Sequence, residues 1–215
     1  MDRRSAPVNQ KRPYDASRRQ ERARRNRDAI IEAAERRFLD DGYAATTVAA
    51  IAADVGVSDH TIYKAFGGKP GLVRAIRARA LEGHATVPAE QRSDELHAHH
   101  HDPREIIAGW GAMTAEVAPL VAPILLLIRD AATTDPEVRG LLVELDADRH
   151  RRMTDNARRL HDAGHLRAGV TLDHAADVLW TYSAPELYEL LVLRRGWSVE
   201  QFSQFIAQAM IQALL

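Results

Sequence analysis

Between residues 58 and 64 the chain sets out Ser58, Asp59, His60, Thr61, Tyr63 and Lys64, hydrogen-bonding side chains interrupted only by Ile62. On one short helix such groups suit the reading of a nucleic acid. A major groove about 12 Å wide admits a helix, and Tyr63 and Lys64 are long enough to reach phosphates. The elements that would hold them are legible in 47–66. There, an alanine-rich stretch (Val48, Ala49, Ala50, Ile51, Ala52, Ala53) precedes the turn Val55-Gly56-Val57, and Ser58 then offers a cap for a second helix. Gly56 permits the sharp turn, Val55 and Val57 anchor it inward, and Ala50 and Ala53 let the two helices pack steeply.

Other chemistry is less well supported. His97, His99, His100 and His101 could bind zinc, copper or nickel, but neither Cys nor helical spacing accompanies them. Asp146, Asp148 and His150 are close in sequence, yet on a helix they diverge. Phosphate loop and nucleophile elbow are both missing, so no catalytic residues are expected and the chain reads as a non-enzyme. Cysteine is absent, which excludes thiolate zinc, iron–sulfur clusters and a disulfide scaffold. No cofactor is expected. The arginines at 149–152 and 158–159 read as a solvated helix face.

The whole chain carries helical periodicity. The spacing predicts helices at 27–39, 47–54, 58–66 and 70–82 and then, in a larger body, at about 103–118, 120–132, 136–163, 172–195 and 199–214. Thr46 and Thr47 both offer an N-cap for the second helix. The fold class is therefore all-α, with a three-helix helix-turn-helix module followed by a larger helical body. Its expected divisions are a basic disordered arm at 1–22, a DNA-binding unit at 23–83, a linker at 84–102 and a body at 103–215. The 215 residues are 46% apolar and 27% charged with a net charge of −1, ordinary for a chain that buries a core. The charge is unevenly spread: residues 1–27 hold ten basic and three acidic residues, a polarity that favours nucleic acid over a membrane surface. The longest apolar run, Ile124 to Ile128, is bounded by Pro123 and Arg129. A spanning segment and a secretory signal are thus not expected, and the chain reads as soluble and cytoplasmic, at the nucleoid.

Residues 25–76 resemble the DNA-binding domain of TetR-type (tetracycline-repressor-like) transcriptional regulators. The resemblance is carried by Ile30, Ala33, Ala34 and Phe38, by Gly42-Tyr43, and by Thr46-Thr47-Val48 with Ile51-Ala52. It continues through Val55-Gly56-Val57-Ser58, Thr61-Ile62-Tyr63, Phe66, Lys69 and Leu72. It implies a recognition helix at 58–65, phosphate contacts from Tyr63 and Lys69, and Thr47 capping the supporting helix beside the DNA backbone. Ser58, Asp59, His60 and Thr61 would meet bases or backbone. Ala65, Gly68 and Pro70-Gly71 depart from the commonest pattern, though Gly serves as a cap and Pro as a first-turn residue. Asp59 would either complement its own helix N-terminus or accept from a cytosine amino group.

The body is similar, more weakly, to one branch of that family through Ala131-Ala132-Thr133-Thr134-Asp135-Pro136-Glu137, Pro185-Glu186-Leu187-Tyr188 and Arg195-Gly196-Trp197-Ser198. This implies a homodimer built on the last two helices. Leu187, Leu191, Trp197, Phe202, Phe205, Ile206 and Met210 are an apolar surplus consistent with that face. It also implies a small-molecule effector pocket, for which Trp110, Met113, Met153, Trp180 and Tyr182 supply apolar walls. The expected function is a sequence-specific regulator, a repressor before an activator, bound to an inverted-repeat operator in double-stranded DNA and released by a small apolar effector. The basic arm would add phosphate or minor-groove contacts. The competing expectation is a metal- or ligand-binding helical protein whose DNA module is vestigial.

Overall fold

Local signals set the ends of most helices. The computed structural model describes residues 14–83 and 87–215. Within them run α1 (Tyr14–Asp41), α2 (Val48–Val55), α3 (Asp59–Phe66), α4 (Lys69–Glu82), α5 (Ala89–His99) and α6 (Pro103–Ala131). Then come α7 (Pro136–Asp162), α8 (Leu172–Tyr182), α9 (Pro185–Tyr188), a π-helical segment (Glu189–Arg194) and α10 (Val199–Leu214). No strand occurs among the described residues. Of the two candidate threonines, Thr47 caps α2 by accepting from Ala50 N at 3.1 Å. The hydroxyl of buried Thr46 instead donates to the Gly42 and Arg37 carbonyls. Asp102 and Asp135 cap α6 and α7, and each is followed by a proline at the first helical position, where the missing N–H is harmless. At α10, Ser198 and Gln201 form a reciprocal capping box.

Two apolar clusters hold these helices. The first joins Phe38, Ile51, Ile62, Leu72 and Ile76 to Ile124, Ile128, Val138 and Leu141, so the core runs across residue 83 from the helix-turn-helix module into the body. Each large aliphatic or aromatic side chain there contributes roughly 1.5–3 kcal/mol by leaving water. The second gathers Ile107, Trp110, Leu160, Leu179, Phe202 and Ile206 around the other end of α6. Ion pairs join the same elements: Arg37 binds Asp54 through two bonds of 2.6 and 2.7 Å, and Arg74 binds Glu144 through 2.7 and 2.6 Å.

Several expectations need correction. Residues 14–22 of the supposed disordered arm are the first turns of α1; residues 1–13 lie outside the described residues. The supposed linker contains α5, because Ala89, Ser93 and Leu96 recur at helical spacing and pack inward, and Arg92 and Asp94 pair with Glu116 and Arg152. Helices expected at 103–118 and 120–132 are one helix, α6, which continues through Pro119 and Pro123. Each proline removes one intrahelical bond, and burial of α6 among its neighbours outweighs that loss. The expected 172–195 helix is divided at Ser183-Ala184 before Pro185, and its second half widens into the π segment. Finally, α6 is long and apolar enough to cross a membrane by length and composition, contrary to the reading from its longest uninterrupted run. In this fold it is the central helix, packed by α1, α4, α5, α7, α9 and α10.

Candidate functional site

α3 is held so that one face is fixed and the other is open. Ile62 is fully buried, while Ser58, Asp59, His60, Thr61, Tyr63 and Lys64 are exposed, Tyr63 by 56%. Ser58 Oγ accepts from Thr61 N at 3.3 Å and lies 2.9 Å from the Thr61 hydroxyl, so both hydroxyls also shape the helix start. Asp59 occupies the first turn, where a carboxylate complements the helix dipole. The turn before α3 requires Gly56 at φ +68°, a conformation that L residues with a Cβ rarely adopt. After α3, Gly71 lies so close that a Cβ there would meet Phe66 O at 1.6 Å. That contact fixes α4 tightly against the end of α3.

Lys69 behaves differently from its expected role. Its ammonium donates to Tyr43 O at 2.6 Å and Thr46 O at 3.1 Å and lies 4.2 Å from the centre of the Tyr43 ring. Burial pushes its pKa down, partly offset by Asp135. Two of its three donors are thus committed to a clasp between α4 and the α1–α2 turn. Burial, with Asp135 and Glu137 nearby, pushes the Tyr43 hydroxyl up to about 12. Along α1, Arg22, Arg24 and Arg25 are exposed, and the Arg27 guanidinium covers the Phe66 ring at 4.6 Å.

In the body, a cavity of about 140 Å³ opens between α4, α5, α6, α7 and the α8–α9 connection. Trp110, Met113 and Met153 line it, whereas Trp180 and Tyr182 do not. Trp180 is turned to Arg149, whose guanidinium lies 4.6 Å from its ring, and Tyr182 meets Phe205 edge-on. Two residues from the apolar surplus, Phe202 and Met210, line the same cavity, and with Ile206 they are buried within their own chain. They belong to the core, not to an exposed face. Leu187, Leu191 and Trp197 are half-buried and Phe205 is 39% exposed. Leu190, Leu193 and Val199, absent from the sequence expectation, extend this apolar surface at 50, 58 and 43% exposure. The π segment turns these leucines outward, a feature without a clear signature in composition.

The arginine group of α7 is also not a simple solvated face. Arg149 and Arg152 line the cavity together with Arg77 of α4. The signal was present: Leu145, Arg149, Met153 and Asn156 follow the buried 3.6-residue stripe of α7. The histidines do not converge. His99 Nδ1 lies 2.8 Å from Glu95 O, His100 Nδ1 lies 2.9 Å from Glu105, and the His97 ring packs on Trp110 at 5.1 Å. Among the described residues no three His, Cys, Asp or Glu groups gather as a metal site.

Residues 30–76 match the family described as bacterial regulatory proteins, tetR family. Over 77 and 75 residues the chain is 43% and 40% identical to ArpR and to the HTH-type transcriptional regulator TtgR, both of Pseudomonas putida. Each match covers 35% of this chain, and 37% and 36% of those proteins respectively, so it spans about a third of the curated relatives. The fold likeness is longer. The transcriptional regulator FadR of Bacillus subtilis, in a crystal structure with stearoyl-CoA, superposes with a TM-score of 0.67 at 18% identity, over 87% of this chain and 98% of that one. Over residues 30–76 this helix-turn-helix geometry coincides with the match to the tetR family of bacterial regulatory proteins, and the chain as a whole shares the fold of the superposed regulator.

Proposed function

We propose that the chain is a sequence-specific DNA-binding transcriptional regulator that acts as a homodimer and is released from an inverted-repeat operator by a small effector. The observation that carries this reading is the polar outer face of α3, exposed and capped at both ends, inside the family-matched segment. Ser58, Asp59, His60 and Thr61 would address bases or nearby backbone. Tyr63 and Lys64 would bind phosphate, Thr47 would lie beside it, and Lys69 would hold the module together while offering its remaining donor. The unit that does this corresponds to about 23–83, and the body to 103–215.

The exposed surface of Leu190, Leu193, Val199 and Phe205, flanked by Leu187, Leu191 and Trp197, supports pairing with a second copy. Two recognition helices would then face half-sites about one DNA turn apart. Effector binding in the body would favour a conformation that no longer matches that spacing. The function needs no catalytic group and no cofactor, and it places the protein in the cytoplasm with its DNA. Sedimentation with and without duplex DNA tests the assembly. The native chain should sediment as a dimer, and Leu193→Glu should shift it to monomer with weaker binding to DNA. A native monomer that binds DNA fully would overturn the dimer.

A further inference from the structure

The cavity between α4, α5, α6 and α7 is not uniformly apolar. α6 lines one wall from Trp110 to Leu125, a run of about 22 Å at 1.5 Å per residue. The facing elements contribute three arginines, Arg77, Arg149 and Arg152, against one acidic residue, Glu90. Arg152 Nη2 pairs closely with Asp94 at 2.6 Å and with the Glu90 carbonyl at 2.8 Å. The other two have no carboxylate that close. Arg149 is only 14% exposed, yet its carboxylate partner Asp146 is 3.4 Å away and 47% exposed. Its remaining contacts are neutral: the Trp180 carbonyl, the Ser183 hydroxyl at 3.1 Å and the Trp180 ring. Arg77 is 18% exposed and reaches Asp148 only at 3.5 Å, and Asp148 is shared with Arg151. Both pairs are looser than the 2.6 Å pair of Arg74 with Glu144. Trp110 adds a buried indole N–H with no partner among the described residues.

We propose that this cavity takes a small amphipathic carboxylate, its apolar body against α6 and its carboxylate drawn to Arg149 and Arg77. The inference rests on the effector binding proposed above for the body. A guanidinium that is buried and poorly paired gains most from an anion that brings two acceptor oxygens. Desolvation holds the Arg149 pKa below its usual value, the mark of a cation short of compensation. A cavity of about 150 Å³ accepts a benzene ring, so the apolar part is the size of a ring or a short chain. Arg77 also gives the ligand a route to DNA. It stands on α4, directly after α3, and a carboxylate bound there competes with Asp148 for the tie between α4 and α7.

Calorimetry on the full chain tests this with two acids, benzoate and hexanoate, and their neutral analogues, benzyl alcohol and hexanol. The acids should bind at least 10-fold more tightly at neutral pH. Arg77→Gln should lower acid affinity about 10-fold and leave the alcohols unchanged, and Arg149→Met should do the same more strongly. If Arg149→Met does not fold, Arg77→Gln still decides. Alcohols that bind as tightly as the acids would overturn the carboxylate preference while leaving an apolar effector cavity in place. Failure of all four probes to bind at millimolar concentration would overturn the carboxylate and the cavity assignment together. Duplex binding by α3, measured separately, would stand in either case.

Discussion

The outer face of α3 and the inner face of α7 carry their polar groups under opposite conditions. On α3 they point to water, and the helix is fixed by elements within a few residues: the Gly56 turn, the Ser58 cap, the Gly67 stop and one buried anchor, Ile62. On α7, Arg149 and Arg152 point inward among side chains from α4, α5, α6, α8, α9 and α10. A surface reader can be specified by local sequence. A cavity is specified only when distant helices meet.

The largest effect should come from the joint that aims α3. Gly71→Ala forces a Cβ into the Phe66 carbonyl, and overpacking of this kind costs about 3 kcal/mol. Thermal unfolding should show that loss, and DNA binding should fall with it. If stability and binding are both retained, the α3–α4 contact does not set the recognition helix.

Tyr63→Ala sharpens the contrast, because Tyr63 is exposed and its loss should leave unfolding unchanged. We expect DNA affinity to fall about 10-fold across all sequences, roughly 1.4 kcal/mol. A drop in melting temperature instead would make Tyr63 structural.

His97 tests the buried side. Its pKa is pushed down to about 4, chiefly by burial and then by Arg159, with Arg152 and His165 acting the same way and Asp94 opposing. Between pH 6.5 and 4 the unfolded chain takes up a proton that the folded chain refuses. Stability should therefore fall as pH drops through that window, on the order of 1 kcal/mol after solvent screening. His97→Phe should flatten that part of the profile, and an unchanged slope would place the pH dependence elsewhere.

Two smaller effects complete the series. Lys64→Ala should reduce the slope of log affinity against log salt by about one unit. Asp54→Asn should remove part of the acid limb of stability, because Arg37 holds the Asp54 carboxyl below its ordinary value. That contribution is present above the ordinary carboxylate range and is lost as pH falls through the lowered value.

The same contrast explains what could be read in the sequence. The ends of α2, α3, α7 and α10 follow from caps, glycines and prolines next to them in the chain. So does the polar set on α3. The passage of α6 through Pro119 and Pro123 does not, since only burial against α4 and α10 makes two lost backbone bonds tolerable. α5 was obscured by its polar composition, although Ala89, Ser93 and Leu96 mark its inner face. Trp180 turns from the cavity to Arg149 while Phe202 lines it, placements that depend on how α8 and α10 meet α6 and α7. Arg149 lies on a stripe that periodicity marks as buried, but an arginine reads as surface until the helices around it are known.

The most direct test is selection of bound duplexes from a random DNA pool, run on the native chain and on His60→Ala at moderate salt. The account predicts an enriched inverted repeat with half-sites about one helical turn apart, and an altered half-site for the variant. Salt-sensitive binding without any enriched sequence would contradict it, leaving α3 a surface that touches DNA without reading it.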